Sequence, residues 1–208
     1  MNDQTRFEEQ LNTVSHGLGA VLGIAGLVLL VIKQQNTSWS LFSVLVYGIS
    51  IIILFSASTL YHAAKTERRK LYFRIVDHVS IYLLIAGTYT PVLLLMLNTS
   101  KGWPLFWAVW GIAAFGVILK LFFTGKFEVF STLLYLVMGW LIVFDFNALV
   151  NTMESGGLIL LMAGGLAYTV GIVFYAVRKI PFNHVIWHLF VLAGAICHYF
   201  MILLFVVV

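Results

Sequence analysis

Two histidines four residues apart, His184 and His188, open the last apolar stretch of a 208-residue chain, and His198 lies ten residues further on. In an α-helix, positions four apart stand one turn above each other on one face, so two imidazoles so placed can grip one metal ion. His198 falls about 15 Å along the same helix, roughly on the same side. That is too deep to share the ion, so His198 is expected to line a cavity above it. Imidazole in hydrocarbon is costly unless paired or ligated, which makes intramembrane histidines functional candidates. The alternative for each ring is a hydrogen bond to a neighbouring helix.

Hydrocarbon is indeed the setting. The chain is 62% hydrophobic and 10% charged, where a soluble domain carries about a quarter charged residues. Its apolar runs approach the ~20 residues of a membrane-spanning helix and far exceed the ~10 of a barrel strand. Seven spans are expected, at 15–32, 40–62, 75–96, 104–122, 131–150, 157–177 and 184–207, in one domain over 1–208. The connections are short, with no internal repeat or soluble insertion. The fold class is therefore an all-α membrane protein, a seven-transmembrane helix bundle whose partner is the lipid bilayer. Cys197, the one cysteine, lies inside the last span and excludes an intrachain disulfide framework. The first 14 residues are polar and carry Asp3, Glu8 and Glu9, unlike a secretory signal, which turns from basic to apolar at once.

The formal charge of +4 does not point to nucleic acid, because the basic residues sort by loop. With seven spans the N-terminus shares a side with the 2–3, 4–5 and 6–7 connections. That side holds Arg6, Lys65, Arg68, Arg69, Lys70, Arg74, Lys120, Lys126, Arg178 and Lys179; the other holds Lys33 and Lys101. Ten against two places the N-terminus in the cytoplasm and the C-terminus outside, in the plasma or inner membrane.

Several spans carry packing signals. Gly19, Gly23 and Gly26 in the first let backbones approach closely and predict a helix inside the bundle. Gly156, Gly157, Gly164, Gly165 and Gly171 again favour close helix contact in the sixth. Pro91 removes a backbone donor and disturbs the carbonyl of Gly87, so a kink is expected there. Trp39, Trp103 and Trp107 fall near the outer boundary, as interfacial anchors do.

Given that topology, uncommon residues from three helices land at one depth. The second span runs inward and ends at Ser58 and His62, the third starts back at Asp77, and the seventh begins with His184 and His188. Three neutral imidazoles with one open position describe a catalytic zinc site, although imidazole alone does not fix the ion. Asp77 would then hold a water or take its proton, and Ser58, one turn deeper than His62, would orient that water or a substrate carbonyl. Each has a plainer alternative. Asp77 can pair with Arg74 at a helix start, His62 can face headgroups, and Ser58 can bond back to its own helix. His78 points about 100° away from Asp77 and is left out of the site. Asp145, in the outer half of the fifth span, reads as a separate polar contact.

Three motifs stand in the chain: Glu9-x2-Asn12-x3-His16, Ser58-x3-His62 with Asp77 beyond, and His184-x3-His188. Together they make it resemble the bacterial hemolysin III family, the prokaryotic branch of the progestin and adipoQ receptor superfamily that includes the adiponectin receptors. The resemblance covers essentially the whole chain. It implies Zn2+ held by His62, His184 and His188, with Asp77 reaching the ion through water, and a distant kinship with alkaline ceramidases, which cleave a lipid amide. Asn12 and His16 share a face and would clamp the N-terminus beneath the bundle, not ligate. The long cytoplasmic N-terminal domain of the eukaryotic receptors has no counterpart here, so an adiponectin-type response is not expected.

Two functions follow. One is a zinc-dependent hydrolase of a lipid amide or ester bond, taking a fatty-acid-containing substrate sideways from the bilayer. The other is a non-enzymatic membrane-homeostasis, receptor-like or channel/hemolysin protein in which zinc is structural. Retinal chemistry is set aside because no lysine follows Lys179; bis-histidine haem would show as a Soret band.

Overall fold

Thr5 starts the first helix. Its side chain accepts the Glu8 N–H at 3.2 Å while Glu8 Oε2 accepts the Thr5 N–H at 2.8 Å, a reciprocal cap that satisfies two otherwise orphaned donors. The computed structural model describes residues 4–35, 37–177 and 179–207. Arg178 and Asp3, both weighed above, lie outside the described residues. From that cap α1 runs over Arg6–Lys33, followed by α2 (Ser40–Ala63) and α3 (Glu67–Pro91). Then come α4 (Gly102–Phe123), α5 (Glu128–Gly139), α6 (Phe146–Thr152), α7 (Ser155–Ala176) and α8 (Asn183–Phe205). Seven segments are long and apolar enough to cross a membrane, the fifth being α5 and α6 together. No strand occurs among the described residues.

The expected span ends agree within three residues except at two starts. The first helix begins at Arg6, not 15, and the third at Glu67, not 75. Capping, not hydropathy, sets both: Thr66 accepts the Arg69 N–H at the head of α3. Arg6, Arg68, Arg69, Lys70 and Arg74 are therefore helical residues, not loop residues. Lys120 also lies within a helix, 1% exposed, with its Nζ 2.7 Å from Glu128 Oε2. Glu128 also accepts from Arg74 at 3.4 Å and from the Gly125 N–H at 3.0 Å. This joins the ends of α3, α4 and α5.

The fifth span is broken, which its uniformly apolar sequence does not announce. A 3-10 turn over Leu141–Asp145 separates α5 from α6. The Tyr89 hydroxyl of α3 spans the break, donating to the Gly139 carbonyl at 2.9 Å and accepting the Ile142 N–H at 3.0 Å. Backbone groups freed within hydrocarbon must find such partners. Asp145 does form a separate contact: it accepts from the Ser100 hydroxyl and, at 2.9 Å, from the Lys101 N–H. The irregularity expected around Pro91 falls just after it. Val92–Met96 form a π-helical turn closed by the Leu97 N–H on the Val92 carbonyl at 3.2 Å.

Contacts run around a ring, α1 to α2 to α3 to α5 to α7 to α8 and back to α1, with α4 against α3 and α5. The most apolar windows of α2 and α3 are 56% and 61% buried, that of α1 only 17%. The first helix thus sits at the edge of the bundle, not inside it. Its stripe of Asn12, His16, Gly19, Gly23, Gly26 and Leu30 is buried, while Val21, Val28 and Ile32 face outward, because lipid receives those side chains as readily as a core does. A Cβ on Gly19 would stand 2.7 Å from the Phe55 ring, so the stripe lets α1 lie directly on α2.

Candidate metal centre

The last turn of α2 and the first turns of α8 meet at the end of the bundle that carries Arg6, Lys70 and Arg74. His62 comes from α2, His184 and His188 from α8. One ligand atom from each lies within 4.8 Å of the others, and among the described residues this is the group of three able to hold a metal ion. His184 Nε2 and His188 Nε2 are 3.1 Å apart. Tetrahedral zinc with bonds of about 2.0–2.1 Å spaces its ligands about 3.3–3.4 Å apart, so this pair stands close to ligating separation. His62 Nε2 is buried with no hydrogen-bond partner. An orphaned, buried imidazole nitrogen beside two converging ones is the donor set a divalent ion needs, and the residues fit the metal.

Two contacts hold these rings, and both come from α1. His62 Nδ1 is 2.7 Å from Glu9 Oε2, and the other Glu9 oxygen is bound by the Lys70 ammonium of α3. His16 stacks on His188 with centroids 3.7 Å apart and planes 14° from parallel. Its Nε2 lies 3.4 Å from the His188 carbonyl oxygen. Asn12, fully buried, donates to Gln4 Oε1 at 3.0 Å, so it braces the N-terminal turn. The sequence offers no role for Glu9, and it assigns His16 a clamp of the N-terminus where the structure stacks that ring on His188. Their signal was present in the seven-residue spacing, which puts both on one face of a helix.

Asp77 and Ser58 lie together, not within the three-nitrogen group. The Asp77 carboxyl interacts with the Ser58 hydroxyl, which closes no hydrogen bond of ordinary geometry. Ser58 sits one turn from His62 on α2, which links the pair to the depth of the cluster, and the carboxylate is outside its donor set. His78 is buried on another side, where its carbonyl accepts the Tyr135 hydroxyl at 3.0 Å. His198 bonds to the Leu161 carbonyl at 3.2 Å and lines a partly open, largely apolar cavity. A Cβ on Gly164 would come within 2.3 Å of that ring, so the glycine makes room for it. The cavity, of about 120 Å³, reaches Tyr175 and Trp187, which neighbour His184 and His188.

Comparison with known proteins places this geometry. Hemolysin-3 of Bacillus cereus is 43% identical over 99% of this chain and 96% of its own length. The Hemolysin-3 homolog of Bacillus subtilis (strain 168) is 42% identical, over 96% and 95%. Human monocyte to macrophage differentiation factor is 33% identical over 95% of this chain and 84% of its own. The family described as Haemolysin-III related matches residues 4–199, a stretch that contains Glu9, His16, Ser58, His62, Asp77, His184 and His188. Seven apolar spans and a match running through every histidine-bearing motif lead to one conclusion: this multi-pass membrane protein belongs to the haemolysin-III related family.

Proposed function

We propose that the protein is a zinc-dependent hydrolase of a lipid amide or ester bond, with its site at the cytoplasmic face of the membrane. The observation that carries this reading is the convergence of three imidazoles beside a Ser–Asp pair. His62, His184 and His188 would hold the zinc, which would lower the pKa of a water to about 7 and act as a Lewis acid toward a carbonyl. Asp77 takes the proton of the attacking water at a carboxylate oxygen and returns it to the leaving amine or alkoxide. The Ser58 hydroxyl, adjacent to Asp77, orients the water or donates to the substrate carbonyl. The small apolar cavity lined by Trp187 gives part of an acyl chain a place near His184 and His188. The Lys and Arg excess at the histidine end supports a cytoplasmic orientation. Metal analysis of the purified protein, with hydrolysis of a panel of acyl amides and esters by wild type and Asp77→Asn, tests the proposal. One zinc per chain with cleavage lost in Asp77→Asn supports it; bound zinc with no cleavage of any member rejects it.

A second reading, a structural ion in a non-enzymatic protein, has its own supporting observation. The cluster joins α2 to α8, which are not among the main packing pairs of the bundle. Under that reading chelation lowers the melting temperature and abolishes function, while Asp77→Asn leaves function unchanged.

A further inference from the structure

We infer that Glu9 is the positioning carboxylate of the metal centre: it accepts a hydrogen bond from the Nδ1–H of His62 and so leaves the Nε2 lone pair facing His184 and His188. Lys70, bound to the other oxygen, holds Glu9 in place. The inference rests on reading the three histidines as a metal site and not on the hydrolase reading.

Neutral imidazole carries one proton, on either nitrogen, and only the bare nitrogen can ligate. A carboxylate has no proton to give. Glu9 Oε2 at 2.7 Å from His62 Nδ1 therefore requires the proton on Nδ1. The lone pair is left on Nε2, the atom that is buried without a hydrogen-bond partner and belongs to the cluster. Metal-bound histidines commonly donate their second N–H to such a group, which fixes the tautomer and raises the basicity of the ligating nitrogen.

Glu9 is able to do this because of where α1 begins. The Thr5–Glu8 cap extends the helix below its apolar stretch, and Glu9 follows in the first turn. A groove of about 790 Å³, lined by Glu9, His62, Lys65 and Lys70 among others, opens the Glu9 side of the pair to solvent. Water can compete for the carboxylate there, and the Lys70 ammonium on its other oxygen opposes that competition. Lys70 is itself held 5.5 Å over the Tyr61 ring, next in sequence to His62. His188 has no such carboxylate; the stacked His16 ring holds it instead. The first helix thus supplies both supports without supplying a ligand.

The test uses the full-length protein in detergent and needs no substrate. Zinc affinity is measured by competition with a chromophoric chelator for wild type, Glu9→Ala, Glu9→Gln and Lys70→Met. Glu9→Ala is expected to weaken binding by about 10–100-fold. Glu9→Gln, whose amide oxygen still accepts from Nδ1, and Lys70→Met should lose less. Nitrogen NMR of the metal-free protein, with His62 assigned from a His62→Gln spectrum, should show the proton on Nδ1. Unchanged affinity in Glu9→Ala overturns the inference, as does a proton on Nε2 in wild type; lowered melting with unchanged affinity would leave Glu9 only an interhelical tie. Should Glu9→Ala not fold, the wild-type tautomer and the Lys70→Met affinity decide the matter. A wild type that binds no zinc overturns this inference together with the metal reading. Weakened binding in Glu9→Ala, in a protein that cleaves no lipid, leaves the inference standing and removes the hydrolase.

Discussion

At His62 the two ring nitrogens have different neighbours, a carboxylate on one side and two imidazoles on the other. That asymmetry separates residues that should bind the ion from residues that should use it. His188→Ala removes one of three donors, a residue 2% exposed, and no carboxylate in the three-nitrogen group can replace it. Bound metal is expected to fall from about one per chain to near zero, read by elemental analysis after dialysis. Asp77→Asn keeps the side-chain shape and removes the proton acceptor. It should leave the metal content unchanged while hydrolysis drops by about 10²–10⁴-fold, the usual contribution of a positioned acid–base group. Loss of metal in Asp77→Asn would place the carboxylate among the ligands and contradict the geometry. The histidine spacing and the shared depth of His62, His184 and His188 were legible in the sequence, because both follow from helical rise and span order. The Glu9–His62 contact was not, since the two residues are 53 apart in sequence and their meeting depends on how α1 and α2 lie against each other.

The same division holds for the helices. Seven spans could be read because burial in lipid demands long apolar runs. The polar extensions at Arg6 and Glu67 could not, because hydropathy reports membrane depth and says nothing of a capped helix continuing into water. Nor could the break in the fifth span, where Leu141 to Phe144 is as apolar as its surroundings and the partner of the freed backbone is a tyrosine on another helix. That partnership makes a prediction. Tyr89→Phe deletes one hydroxyl and leaves the Gly139 carbonyl and Ile142 N–H without it. Each unsatisfied buried group costs about 1–3 kcal/mol. The variant should lose about 2–4 kcal/mol in a reversible denaturant titration while retaining its metal, because Tyr89 lies far along α3 from Asp77. A loss below 0.5 kcal/mol, an order-of-magnitude floor for such a bond, would mean that water or a shifted turn replaces the hydroxyl.

For the whole molecule, the remaining question is which way the bundle faces, since that decides which leaflet the site can draw on. The contacts Glu9–Lys70, Arg74–Glu128 and His62–His184 gather the start of α1, the α2–α3 turn, the α4–α5 turn and the start of α8 at one end. Trp39 and Trp103 meet edge to face at 5.3 Å at the other end, where Lys33 and Lys101 lie. A bundle with this sorting should insert with its basic end in the cytoplasm. To test it, Cys197 is replaced by alanine, and a single cysteine is introduced at an exposed site on each end: Ser38→Cys beside Trp39, and Lys65→Cys beside His62. A membrane-impermeant maleimide applied to intact spheroplasts should label Ser38→Cys and reach Lys65→Cys only after permeabilisation. The reverse pattern would put the histidines at the outer leaflet. The groove at Glu9 would then open outside the cell, metal would be acquired from there, and a cytoplasmic-leaflet lipid could not be the substrate.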